Sequence, residues 1–289
     1  MSDQPSKPVE VKRKSLATSN WVTLALLALF LLVAFGIESL KPTFSMGGLL
    51  LTGIIMALVP AMLWLGFFYR QDQLEPEPKG MVIEVFILGG LLAAAIGIPL
   101  LNDVFKISTW LYSGFWVNVL GAILVIGFSQ EFLKYAAVRF SVYGSSEFDE
   151  HTDGIIYATA AGLGFATVLN VNFVVGSGGV NLGMGAVYIV LTALAQASFA
   201  GITGYFLGRD KLDHMSAWWV PMGFSLAALL NGLFNYSWGA LKRTSITSGG
   251  ALGSWGGLFL AVLISVLVTI VLSNLIERDI QRTLTGQEA

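Results

Sequence analysis

Cysteine is absent from the 289 residues, which excludes disulfides, thiolate metal sites and cysteine nucleophiles. Histidine is almost as scarce: His151 and His214 are the only two, and neither falls in an apolar run. Charged residues make up 12% of the chain, about half the share usual in a soluble domain. With a net charge of −2 and no long basic block, nucleic acid is excluded as a partner. No small-residue cleavage site follows the apolar run that opens at Trp21, so that run reads as a first span and not as a cleaved leader.

Apolar residues fill the space these absences leave. They amount to 55% of the chain, with a mean hydropathy of +0.74, and several runs exceed the roughly 18 residues that mark a membrane-spanning helix. The expected fold class is all-α, a polytopic transmembrane bundle of about eight spans in the bilayer. The expected spans are Trp21–Ile37, Gly47–Phe68, Met81–Leu100, Leu111–Val138, Gly154–Val175, Ala186–Leu207, Ala217–Leu241 and Trp255–Ile276. Residues 1–20 read as a disordered polar tail, 21–276 as one transmembrane domain and 277–289 as a second tail. Trp21, Trp110, Trp116, Trp218, Trp219 and Trp255 fall near the predicted ends, as interfacial aromatics do. Gly162, Gly164, Gly201, Gly204 and Gly208 suit close helix packing.

Lys and Arg set the expected orientation. If the N-terminus is cytoplasmic, that side holds Lys7, Lys12, Arg13, Lys14, Arg70, Lys79, Arg139, Arg209, Lys211, Arg278 and Arg282, against Lys41, Lys106, Lys242 and Arg243 opposite. The excess places both termini in the cytoplasm.

Ionisable residues inside a span mark function by default. In "GFSQEFLKYAAV", Gly127 to Val138, Glu131 and Lys134 are i, i+3 neighbours and can pair. Near a helix end, both could also snorkel to water. The other polar groups at depth are Asn118, Asn170, Asn172, Gln196, Asn231 and Asn235. Asn231 and Asn235 lie at i and i+4 on one face, a spacing that suits two ligands of one ion. Carboxamides are poor zinc ligands, however, and from these residues alone interhelical hydrogen bonding is the better reading. Ser129 and Lys134 do not face each other on one helix, and Ser198 and Ser225 have no nearby base, so no serine mechanism follows.

Four stretches carry a resemblance: "YRQDQLEPEPKG", "FDEHTDGIIYATAAGLGFATVLN", "LAQASFAGITGYFLG" and "LLNGLFNYSW". In order and content they resemble the PrsW family of membrane-embedded metalloproteases, relatives of the CAAX-processing proteases. The resemblance implies a metal and catalytic site built from a Glu-Glu-x-x-Lys motif, a Phe-x-x-x-Glu motif, a histidine in the sixth span and a His-x-x-x-Asp motif. Position by position, the first glutamate is Gln130, while Glu131 and Lys134 remain. The glutamate after Phe165 is Leu169, the sixth-span histidine is Gln196, and the last motif reads Asn231 and Asn235.

A catalytic zinc needs about three protein ligands and a water, and Glu131 alone cannot hold one against solvent. The expectation is a catalytically silent relative without cofactor or catalytic residues. It would keep the fold of a bacterial inner-membrane protein and bind another transmembrane protein, for instance as an accessory subunit. The alternative, implied by the resemblance, is an active zinc protease that cleaves membrane-anchored regulators. A channel or transporter ranks third, because the charged pathway residues of pumps are missing.

Overall fold

A chain segment in hydrocarbon has no water for its amides, so it closes its hydrogen bonds within itself as a helix. The computed structural model describes residues 13–72, 75–178, 182–247 and 251–285. Among these there are only helices and short connections. In chain order they are α1 (Arg13–Ser39), α2 (Met46–Tyr69), α3 (Lys79–Leu92), α4 (Ile107–Trp110), α5 (Phe115–Gly121), α6 (Phe128–Ser141), α7 (His151–Gly176), α8 (Leu182–Asp213), α9 (Trp219–Thr247) and α10 (Ala251–Thr285). The all-α transmembrane bundle expected from the sequence is the observed fold.

Several boundaries move. Helix α1 starts at Arg13, inside the stretch expected to be a polar tail, because no proline or glycine separates Arg13 from Trp21. Residues 1–12, with Lys7 and Lys12, lie outside the described residues. Helix α10 runs on to Thr285, past the expected end at Ile276, because Ile276 and Ile280 continue one buried stripe at i, i+4. The fourth span starts at Phe115 and not at Leu111, since Gly114 is extended and precedes the helix.

Seven of the long helical segments are long and apolar enough to cross a membrane, counted among the described residues. The eight expected spans thus become seven by that measure. Helix α9 is the difference, and its two asparagines, with Ser225, Tyr236 and Ser237, lower its hydropathy.

Three π-helical stretches interrupt the third and fourth spans: Ala93–Gly97, Leu100–Val104 and Ala122–Gly127. Pro99 separates the first two; having no N–H, it favours a change of hydrogen-bond register. The third leads straight into α6 and re-aims the face that α6 presents to the bundle.

Helix α8 is central, with 83% of its apolar window buried, against 17% for the peripheral α1. Helix α8 meets α7 backbone to backbone. A methyl group at Gly204 would overlap the Gly154 carbonyl oxygen, and one at Gly162 would overlap the Gln196 carbonyl oxygen. Small residues let two helices approach this closely. A Gly204→Val variant is expected to lose at least about 3 kcal/mol of stability, because neither backbone can retreat from the other. Detergent-titrated unfolding would read that loss, and a change below about 1 kcal/mol would mean that the two helices slide apart freely.

Candidate functional site

The π-helical turn before α6 brings Gly127 against the Ala228 carbonyl of α9 and lets Gly232 of α9 sit against the Ile123 backbone. With α6 and α9 in backbone contact, the side chains that follow have nowhere to go but the bundle interior. Gln130, Glu131 and Lys134 are accordingly buried, with Glu131 0% and Lys134 1% exposed. The snorkelling arrangement allowed by the sequence is therefore overturned: the pair points into the bundle and is shut off from its surface.

Helix α8 supplies Gln196, whose backbone is fixed by the contact with Gly162, and α9 supplies Asn231 and Asn235. The Lys134 ammonium donates to Glu131 Oε1, to Gln196 Oε1 at 2.8 Å and to the Gln196 carbonyl at 3.3 Å. All three of its donors are used. Gln196 Nε2 donates to Gln130 Oε1 at 3.1 Å and to Asn231 Oδ1 at 3.2 Å. Asn231 Nδ2 donates to Gln130 Oε1 at 3.1 Å and to Glu131 Oε1 at 2.7 Å. Asn235 Nδ2 closes the chain on Asn231 Oδ1 at 2.7 Å and on the Asn231 carbonyl at 3.0 Å.

Six of the seven candidate positions therefore form one hydrogen-bonded network. Leu169 is the seventh, and it packs half-buried beside Ala93, Leu133 and Phe165 as an apolar wall. The adjacent Asn170 is buried and donates to the Ile189 carbonyl at 3.3 Å, while its Oδ1 is unpartnered. Ser198 bonds Thr269 at 2.8 Å, a contact between α8 and α10.

The donor chemistry of this network does not fit a zinc ion. Each side-chain oxygen of Gln130, Gln196 and Asn231 already accepts a hydrogen bond, and a cation already sits among them as Lys134. Within the network the one buried oxygen without a partner is Glu131 Oε2, and one carboxylate oxygen is far from the three ligands a catalytic zinc takes. Among the described residues no group of three His, Cys, Asp or Glu side chains is placed to hold a metal. His151, outside the expected spans, is the first residue of α7 and pairs with Asp213 at 2.9 Å. His214 is exposed with φ of +50°.

A second polar cluster was not found by sequence reasoning. Where the α2–α3 loop meets the start of α7, Asp72, Glu77 and Asp153 are all at most 3% exposed. Tyr157 donates to Glu77 Oε2, and the Asp149 and Glu150 amides donate to Asp153 Oδ2 at 2.8 and 2.6 Å. Among the described residues neither Asp72 carboxyl oxygen makes a well-formed hydrogen bond, although the Glu77 backbone amide partly offsets its burial. Burial, then the nearby Glu150 and Asp153 carboxylates, push Asp72 up to about 7. Burial likewise pushes Glu77 up, against the lowering effect of its hydrogen bonds with Asp153 and Tyr157. The clue in the sequence was the run "QDQLEPEPKG", which carries Asp72 and Glu77 and whose two prolines restrict the residues before them.

A family model described as PrsW family intramembrane metalloprotease matches residues 77–275. The chain is 30% identical over 192 residues to Protease PrsW of Bacillus subtilis, an alignment that covers 66% of this chain and 84% of that one. Protease PrsW of Halalkalibacterium halodurans is 32% identical over 182 residues, covering 62% of this chain and 80% of that one. Protease PrsW of Clostridioides difficile is 25% identical over 186 residues, covering 63% and 77%. No solved structure matches. The match takes in α6, α8 and α9, the three helices that build the network, and the chain belongs to the PrsW family.

Proposed function

We propose that this chain is a catalytically silent member of its family, which works by binding another transmembrane segment as an accessory subunit of a membrane complex. The observation that carries this reading is the network itself. Gln130, Gln196, Asn231 and Asn235 occupy the positions that the resemblance assigns to ligands and acid–base groups, and their amides are spent on one another. No side chain in it is free to activate a water except through one oxygen of Glu131. A neutral, internally satisfied polar core is well suited to fix the geometry of a helical scaffold. The bacterial relatives and the Lys/Arg distribution support a place in the inner membrane with both termini cytoplasmic.

The rival reading is an active intramembrane metalloprotease that cleaves membrane-anchored regulators. It draws on the unpartnered Glu131 Oε2 and on the relatives, which are named as proteases. Elemental mass spectrometry on protein purified in mild detergent, without chelator or affinity metal, separates the two. The silent reading expects zinc far below one per chain, a partner protein that co-extracts, and indifference to chelators. Stoichiometric zinc, together with cleavage lost in Glu131→Gln, would sink it.

A further inference from the structure

Along α6 from Phe132 to Arg139, the last turns of α8 and the first turns of α9 line an open cavity of about 460 Å³. Its walls are Phe132, Tyr135 and Phe224, its floor is Leu207, and Arg139 and Asp210 stand at its rim. Trp218, 74% exposed at the start of α9, is an interfacial aromatic at the same end of the bundle.

The two rim charges flank one ring without neutralising each other. The Arg139 guanidinium lies 4.0 Å from the centre of the Tyr143 ring, and the Tyr143 hydroxyl donates to Asp210 Oδ2 at 3.1 Å. Neither Arg139 nor Asp210 forms an ion pair among the described residues. The other cation near this ring, Lys211 at 5.7 Å, is committed to the Ser145 carbonyl at 2.9 Å.

Charge complementarity then selects the occupant. A purely anionic headgroup meets Asp210, a purely cationic one meets Arg139, and an apolar ligand adds nothing to the contacts both already make with Tyr143. A ligand that carries a phosphate and an ammonium together satisfies both, with charge-assisted hydrogen bonds at each end. A primary ammonium can donate to a carboxylate, whereas a quaternary one has no N–H. The aromatic walls at the bilayer boundary suit glycerol and acyl carbons, so the ligand arrives from the membrane.

We propose that this cavity is a phospholipid site for a phosphatidylethanolamine headgroup, with its phosphate on Arg139, its ammonium on Asp210 and its chains along Phe132, Tyr135 and Phe224. The site uses a face of α6 next to the one that carries Glu131 and Lys134, and it requires nothing of the polar network.

Native mass spectrometry of the full chain tests this, after incubation with equal amounts of phosphatidylethanolamine, phosphatidylcholine and phosphatidylglycerol of identical acyl chains. The expected result is retention of phosphatidylethanolamine about three- to fivefold above each of the others, the scale of one exposed charge-assisted contact. Asp210→Asn is expected to bring it down to the level of phosphatidylcholine. Arg139→Gln should weaken it and Arg139→Lys should restore it. Stepwise N-methylation of the lipid, tested on the unaltered chain, should erode retention as N–H donors disappear, independent of how any variant folds. Equal retention of the three lipids, or a preference untouched by methylation, overturns the proposal.

Discussion

Replacing Lys134 by methionine is expected to destabilise the fold by about 3–5 kcal/mol, since it strands a buried carboxylate that has lost its cation. Lys134 is 1% exposed and holds Glu131 from one side, while Asn231 holds the same oxygen from the other. Removing the ammonium also frees the Gln196 side-chain oxygen and carbonyl of their donor. The double variant Glu131→Leu with Lys134→Met removes both charges and is expected to recover most of the loss, because a buried pair and an apolar replacement of similar volume are often close in stability. Unfolding in mixed micelles, titrated with a denaturing detergent, reads both numbers. A single-variant loss below about 1 kcal/mol would show that water already reaches the pair.

Asp72→Asn is expected to act in the opposite direction, with an effect that grows from about pH 4 and is complete above about pH 7. Burial and the Glu150 and Asp153 carboxylates hold Asp72 at about 7 in the folded chain, above its ordinary 3.8. The folded state thus keeps a proton that the unfolded state has released across the window from about 4 to about 7. Folded stability falls as pH rises through that window, and the full penalty is present above it. The amide cannot ionise, so the variant is expected to be more stable than the parent by about 2 kcal/mol at pH 8, after allowing for screening at the loop surface, and no different at pH 4. Thermal midpoints measured at the two pH values check this. A variant that shifts both midpoints equally would locate the effect in packing and remove titration as its cause.

Much of the fold was legible because apolar runs and their breaks follow from what lipid requires. Helix ends were less so: α10 continues past Ile276 because Ile280 adds one more buried position, a detail that a hydropathy window averages away. The candidate site was legible as a set of residues and not as a geometry. Helical spacing showed that Glu131 and Lys134 share a face, but it carries no information on whether that face looks toward solvent or toward α8. That was decided by Gly127 and Gly232, which bring α6 and α9 together. The carboxyl cluster of Asp72, Glu77 and Asp153 escaped because its members come from a loop and a helix about 80 positions apart, joined by the Tyr157 contact with Glu77. No local periodicity records such a meeting.

Helix α9 has a consequence for how the protein is made. A segment that carries Asn231 and Asn235 near its middle partitions weakly from the translocon into lipid when it arrives alone. The groups that accept and donate to those amides, Gln130 and Glu131 on α6 and Gln196 on α8, have by then already been synthesised. Insertion of α9 is thereby coupled to the correct prior placement of α6 and α8. The same bonds that fix the fold are thus expected to make the late helix depend on the early ones already in place.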